Sequence, residues 1–159
     1  MTTNDAAYDS AEDTRAHIKR VQALMFEMIG RLHTRRREHD VSKLMEPEKP
    51  VFDRETPNLR KLEYGSEEYK QALGRMKVAL DHHYAENSHH PEHYKNGMAG
   101  MSLLDLAEML ADWKAATERH ETGDIARSID LNAERFGYDD MLRSIFHNTV
   151  QEMGWESKK

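Results

Sequence analysis

The sequence predicts an all-α protein, and three observations carry that expectation. Apolar residues recur at three- and four-residue intervals along most of the chain. Capping residues stand where those runs begin, and glycines stand where several end. No alternating stretch is long enough to build a sheet. The expected architecture is a single compact domain of about five main helices over residues 13–155.

The elements follow in order. Residues 1–12 are small, acidic and aperiodic, which predicts a disordered or loosely attached start. A first helix is expected over Asp13–Arg37. Its stripe of Ile18, Val21, Leu24, Met25, Met28, Ile29 and Leu32 should be buried, with His17 on the same face. Pro47, Pro50 and Pro57 then make residues 44–65 mainly loop, either a lid or an inert connection. Ser66 caps a second helix with Glu67 and Glu68 in its first turn. On that helix Tyr69, Leu73, Met76, Leu80, His83 and Asn87 share one face, while His82 points about 100° away. After Pro91 and Gly97, Ser102 opens a third helix with Asp105 at the capping-box position. That helix, LLDLAEMLADWKAA, is apolar on most sides and is expected to be central. Asp124 caps a fourth helix ending at Gly137, and a last one runs over Asp139–Met153. Trp113 and the methionines at helical spacing are expected to fill core.

Composition narrows the function. A chain of 159 residues can bury a core of its own. Its net charge of -6 argues against bulk adhesion to nucleic acid or anionic membrane. With no cysteine there are no disulfides, thiolate nucleophiles or zinc fingers. The N-terminus lacks the pattern of a signal peptide, and Met101–Leu110 is too short to span a bilayer. A cytoplasmic protein with no membrane partner is expected.

Histidine is the unusual residue: of ten in the chain, six lie between His82 and His120. Four features share one chemical type. They are His17, the pair His39-Asp40, His83 with Asn87 and His89-His90, and Asp112. A carboxylate inside an apolar helix, as Asp112 is expected to be, needs a cation, a donor or a metal. Mixed imidazole and carboxylate ligands suit zinc, iron, manganese, cobalt or nickel better than magnesium or calcium.

In this order His17, His39-Asp40 and Asp112 resemble the H…HD…D signature of HD-domain metal-dependent phosphohydrolases. His39-Asp40-Val41-Ser42-Lys43 is similar to the HD-x-x-K form of cyclic-dinucleotide phosphodiesterases and inositol oxygenase. HDVSK, HHYAENSHHPEHY and SLLDLAEMLADWKAA together resemble a family of short HD-like proteins from phages and bacteria. The likeness runs from about His17 to Asn148. There is no GYP-type motif after His90, so specificity for cyclic di-GMP is not implied.

The resemblance implies an HD-like fold and a metal set of His17, His39, Asp40, His83, His89, His90 and Asp112. It implies two divalent transition-metal ions, with Asp40 as the bridge. His83 is favoured over His82 by helical phase, whereas the choice between His89 and His90 stays open. His93 is expected at the surface or behind the ligands. Glu108 would orient a ligand histidine or face solvent. Lys43 and Arg36, from the basic run Arg31, Arg35, Arg36, Arg37 and Lys43, would contact a phosphate, with Lys43 and Asp40 taking part in catalysis. The ordinary alternatives are a core histidine at position 17, a helix cap at Asp40, and arginines that only complement a helix dipole. The implied activity is phosphohydrolysis of a nucleotide or other small phosphate ester. The rivals are a di-iron oxygenase of the inositol-oxygenase type and a non-catalytic phage-type protein that binds a nucleotide or host factor.

Overall fold

In the computed structural model, which describes residues 8–59, 61–62, 66–119 and 123–156, the described residues are helical with no strand. The all-α expectation holds, with seven α-helices among the described residues instead of about five. The chain divides into two units, residues 1–37 and 38–159.

The first unit is one long helix, α1 (Ala11–Glu38), which runs on into the start of the second. None of its residues is buried. This corrects the expectation of a covered apolar stripe: periodicity shows that a face exists, but not that anything covers it. Residues 1–7 lie outside the described residues, so most of the expected loose start does too.

The second unit opens with a 3-10 turn over Val41–Leu44. Helix α2 (Glu48–Leu59) follows, where the prolines had predicted loop. The prediction failed because of where they stand. Pro47 and Pro50 fall at the helix start, whose first amide groups have no intrahelical acceptor to lose. Pro57 sits in the last turn, where little helix remains to disrupt. Two carboxylates, Glu48 and Glu55, are buried along α2, which packs on α4 (Lys77–Glu86). Residues 48–59 are therefore built into this unit as a helix. The C-terminal part of the expected loop, at residues 60 and 63–65, lies outside the described residues.

The expected second helix is two: α3 (Glu67–Arg75) and α4, divided at Met76. Ser66 caps α3 by accepting from the Tyr69 amide at 3.1 Å. Two further 3-10 turns, Pro91–His93 and Gly97–Gly100, lead to α5 (Leu103–Thr117). Helices α6 (Ile125–Phe136) and α7 (Asp140–Glu152) complete the chain. Gly137, at φ 67°, ends α6 in the left-handed conformation that a side chain would disfavour.

The core lies between α5, α6 and α7. Met109, Leu110, Ile125, Ile129, Phe146 and Val150 form it, and Trp113 packs against its edge. The methionines divide: Met76 and Met109 are buried, whereas Met25, Met28, Met141 and Met153 are exposed. Helix α5 therefore gives one face to the core and keeps another, with Glu108 and Asp112 one turn apart, for polar work.

The α5 cap ties this scaffold to the histidine-rich turn. Asp105 accepts from the Ser102 amide and hydroxyl, from Tyr94 Oη at 2.9 Å and from Ser88 Oγ at 2.7 Å. Burial pushes its carboxyl up, but these donors outweigh burial and hold it well below the usual carboxylate range. A carboxyl lowered in this way stabilises the fold above its unfolded pKa of about 3.9, and that contribution fades as pH falls further. Asp105→Ala should cost about 2–4 kcal/mol at pH 7 by denaturant unfolding, from the lost cap and buried bonds. The difference between the two proteins should shrink steadily below pH 4.

Candidate metal centre

The site is built around Asp40. It follows α1 with φ 58° and ψ 11°, in the left-handed region that asparagine and aspartate tolerate better than other side chains. Its carboxylate makes no capping hydrogen bond to the turn that follows. The capping alternative for Asp40 is thereby excluded, and the carboxylate is left to the cluster.

On one side stand His39 and Asp112. His39 Nε2 is 3.6 Å from Asp40 Oδ2 and 3.7 Å from Asp112 Oδ1. On the other side stand three imidazoles. His83 Nε2 lies 3.3 Å from Asp40 Oδ1, His89 Nε2 lies 3.6 Å from the same oxygen, and His90 Nε2 is 2.9 Å from His83 Nε2. Asp40, His83, His89 and His90 form one group able to hold a metal ion, and His39, Asp40 and Asp112 form another. His89 and His90 both belong to the first, so the sequence's open choice between them has the answer that both are there.

Two atoms test the fit. Asp40 Oδ1 and His89 Nε2 are buried and have no hydrogen-bond partner. A buried polar group without a partner costs roughly 1–3 kcal/mol. A divalent cation between a carboxylate oxygen and imidazole nitrogens would satisfy both, so the residues present fit a metal.

The far ring nitrogens show how the imidazoles are aimed. Glu48, fully buried at the start of α2, accepts from His83 Nδ1 at 3.0 Å and from His82 Nδ1 at 2.8 Å. Glu108 accepts from His39 Nδ1 at 2.9 Å, and His89 Nδ1 is 3.2 Å from the same Oε1. A carboxylate can only accept, so Nδ1 carries a proton, and in a neutral ring such as His83 that leaves the Nε2 lone pair toward Asp40. The structure thus places His83, and not His82, against Asp40, as helical phase had it, and Glu108 against the far nitrogen of His39. A third possible group, His39 with His89 and Glu108, reads more simply as this pair of hydrogen bonds.

Glu48 was missed because the prolines had assigned it to a loop. The signal was available: an acid directly after a proline is a common helix start. Ser42 was missed as well; its Oγ accepts from Asn87 Nδ2 at 2.9 Å, and Asn87 also donates to the His83 carbonyl. Asn87 fixes the end of α4 as its amide chemistry had suggested. His93 is exposed and donates to the Tyr84 carbonyl, away from the cluster. Lys43 Nζ donates to Asp40 Oδ2 at 2.6 Å.

All three groups draw only on residues of the second unit. His17 and Arg36 are exposed on α1 in the first. His17 was expected to be buried and is not, and its assignment as a ligand rests on the resemblance alone.

Charge differs between the two sides. Asp112, then Glu108, raise the His39 imidazole to about 10, so it is a cation at neutral pH. At 3.7 Å the Asp112 contact is an ion pair and not a hydrogen bond. Burial lowers His83, and burial together with the neighbouring His89 lowers His90 to about 3, so both are neutral. Burial pushes the Asp40 carboxyl up, but Lys43, then His39 and His83, outweigh it and hold it below its ordinary value.

The chain matches the family of unknown function DUF5662 over residues 6–153, and belongs to it. No curated protein and no solved structure matches it. Among the described residues no helix is long and apolar enough to cross a membrane.

Two outcomes check this geometry. A metal bound through His39 must displace a proton at neutral pH, so that affinity should rise about tenfold per pH unit between pH 6 and 8. Binding through His83 and His90 displaces none there and should change little over the same range. Calorimetric titrations in buffers of different ionisation enthalpy separate the two, and a single pH dependence common to all binding would refute the assignment. Glu48→Gln keeps the side chain's shape but removes the charged acceptor. It should lower metal affinity about 10- to 100-fold while leaving the helical signal intact.

Proposed function

We propose that this protein is a metal-dependent phosphohydrolase of the HD type, acting on a nucleotide or another small phosphate ester with two metal ions bridged by Asp40. The observation that carries the proposal is the division of one carboxylate between two sets of ligands. Asp40 Oδ2 faces His39, which in turn faces Asp112, while Asp40 Oδ1 faces His83 and His89 with His90 beside them.

His39, Asp40 and Asp112 would hold one ion, and Asp40, His83, His89 and His90 the other. A divalent metal bound there would polarise a phosphoryl oxygen and lower the pKa of its bound water towards neutral. The chain's own residues supply the remainder. Lys43 stands beside Asp40 on an adjoining 3-10 turn, where its ammonium would bind a phosphate oxygen and offset the charge that builds on it. Glu48 and Glu108 hold the imidazoles in the tautomer that can ligate. The fit of the chain to the HD pattern, in order and in residue type, supports the same reading.

The test is phosphate release from a panel of nucleotides and simple phosphate esters, with manganese, cobalt, iron, nickel or zinc added in turn. Turnover is expected with at least one metal. Asp40→Asn should lose metal and activity together, by more than the roughly 100-fold typical of an orienting residue. Lys43→Met should keep the metal and lower kcat by about 100- to 1,000-fold. If Asp40→Asn left metal content unchanged, the site itself would be wrongly assigned. Two equivalents of iron with a half-oxidised EPR signal and no phosphate release would point to the oxygenase instead.

A further inference from the structure

Helix α1 carries an apolar stripe that belongs to none of the groups able to hold a metal. Over 28 residues it extends about 42 Å. Seven large apolar side chains on it are exposed; Phe26 lies off to one side, and the other six, Ile18, Val21, Leu24, Met25, Met28 and Ile29, share one face. Each of these six is between 38% and 59% exposed. Scattered apolar residues on a surface need no explanation, but a continuous stripe does.

The spacing defines the stripe's partner. Ile18, Val21, Met25, Met28 and Leu32 alternate in steps of three and four, the a and d pattern by which one helix packs along another. Leu24 and Ile29 widen the seam on its two sides. Such a face fits a second straight helix of similar length.

Charge selects which helix and in which direction. The first turn of α1 holds Glu12 and Asp13, and the last holds Arg35, Arg36 and Arg37. A second copy lying antiparallel brings each acidic end beside the other's basic end, and it also opposes the two helix dipoles. A parallel copy would set the three arginines against three more. Covering the stripe on both copies would remove on the order of 1,000 Å² from water, close to the roughly 1,200 Å² at which stable interfaces begin.

We infer that α1 is a self-association element, pairing antiparallel with α1 of a second copy of this chain along the Ile18–Leu32 stripe. None of the stripe residues belongs to the three groups able to hold a metal.

The experiment is sedimentation of the full chain at micromolar concentrations, with a dimer expected. Leu24→Glu combined with Met28→Glu should give a monomer that still takes up metal, which separates lost pairing from lost folding. Glu12→Lys combined with Asp13→Lys should weaken the dimer several-fold at low salt, with the effect disappearing at high salt. Because the chain has no cysteine, direction can be read by disulfide trapping. Ile18→Cys mixed with Met28→Cys should form a mixed disulfide, while neither variant forms one with itself. A monomer at all concentrations would overturn the proposal, since the stripe would then be covered within the chain or not at all. A dimer whose mixed disulfide fails to form would overturn it too, because the second copy would then bind elsewhere or in parallel.

Discussion

The candidate site depends on a single carboxylate facing two ways. Asp40 stands where the chain leaves a long helix, and it leaves through a left-handed backbone conformation. Glycine would make that turn at least conformational cost. An aspartate there, with its side chain capping nothing, gives up backbone comfort and keeps a charge inside a group of imidazoles. Everything around it is arranged to tolerate that charge. Lys43 reaches it from the next turn, and His39 and His83 face it from opposite sides.

The imidazoles in turn depend on carboxylates from other elements. Glu48 comes from the start of α2 and Glu108 from the middle of α5, while the histidines come from the turn after α1, from α4 and from the turn after α4. Each of these ring–carboxylate contacts joins segments far apart in sequence. Breaking one would free a ring to rotate and would also strand a buried charge, as at Glu48. The apolar core lies on the other side of α5, among α6 and α7. Helix α5 thus does two jobs with one periodicity: Met109 and Leu110 fix its position, and Glu108 and Asp112 use it.

What was legible in the sequence was whatever depends on local spacing. The caps at Ser66, Ser102 and Asp124, and the glycine end at Gly137, are decided within a few residues. The choice of His83 over His82 needed only the helical angle. The polar residues that gather around Asp40 were named by chemical type, because imidazoles and carboxylates near apolar faces require some common partner. What was not legible depends on context. Three prolines read as a loop because each breaks a helix interior, yet two of them stand where a helix has no hydrogen bond to lose. Glu48 disappeared with that misreading. The stripe of α1 read as buried because periodicity reports a face and cannot report its cover.

That last failure separates two kinds of apolar pattern. In α5 the apolar residues and the polar ones point to different sides, and each side meets elements of the same unit. In α1, the one described helix of its unit, no residue is buried, although its spacing is the more regular. Regular spacing over the roughly four turns from Ile18 to Leu32 is what pairing lengthwise with another helix demands. A core of short helices crossing at angles asks only for contacts of one or two turns. The regularity of the α1 stripe is therefore a property of its partner as much as of this fold. A second helix with the same spacing and the opposite direction is the partner that the chain itself provides.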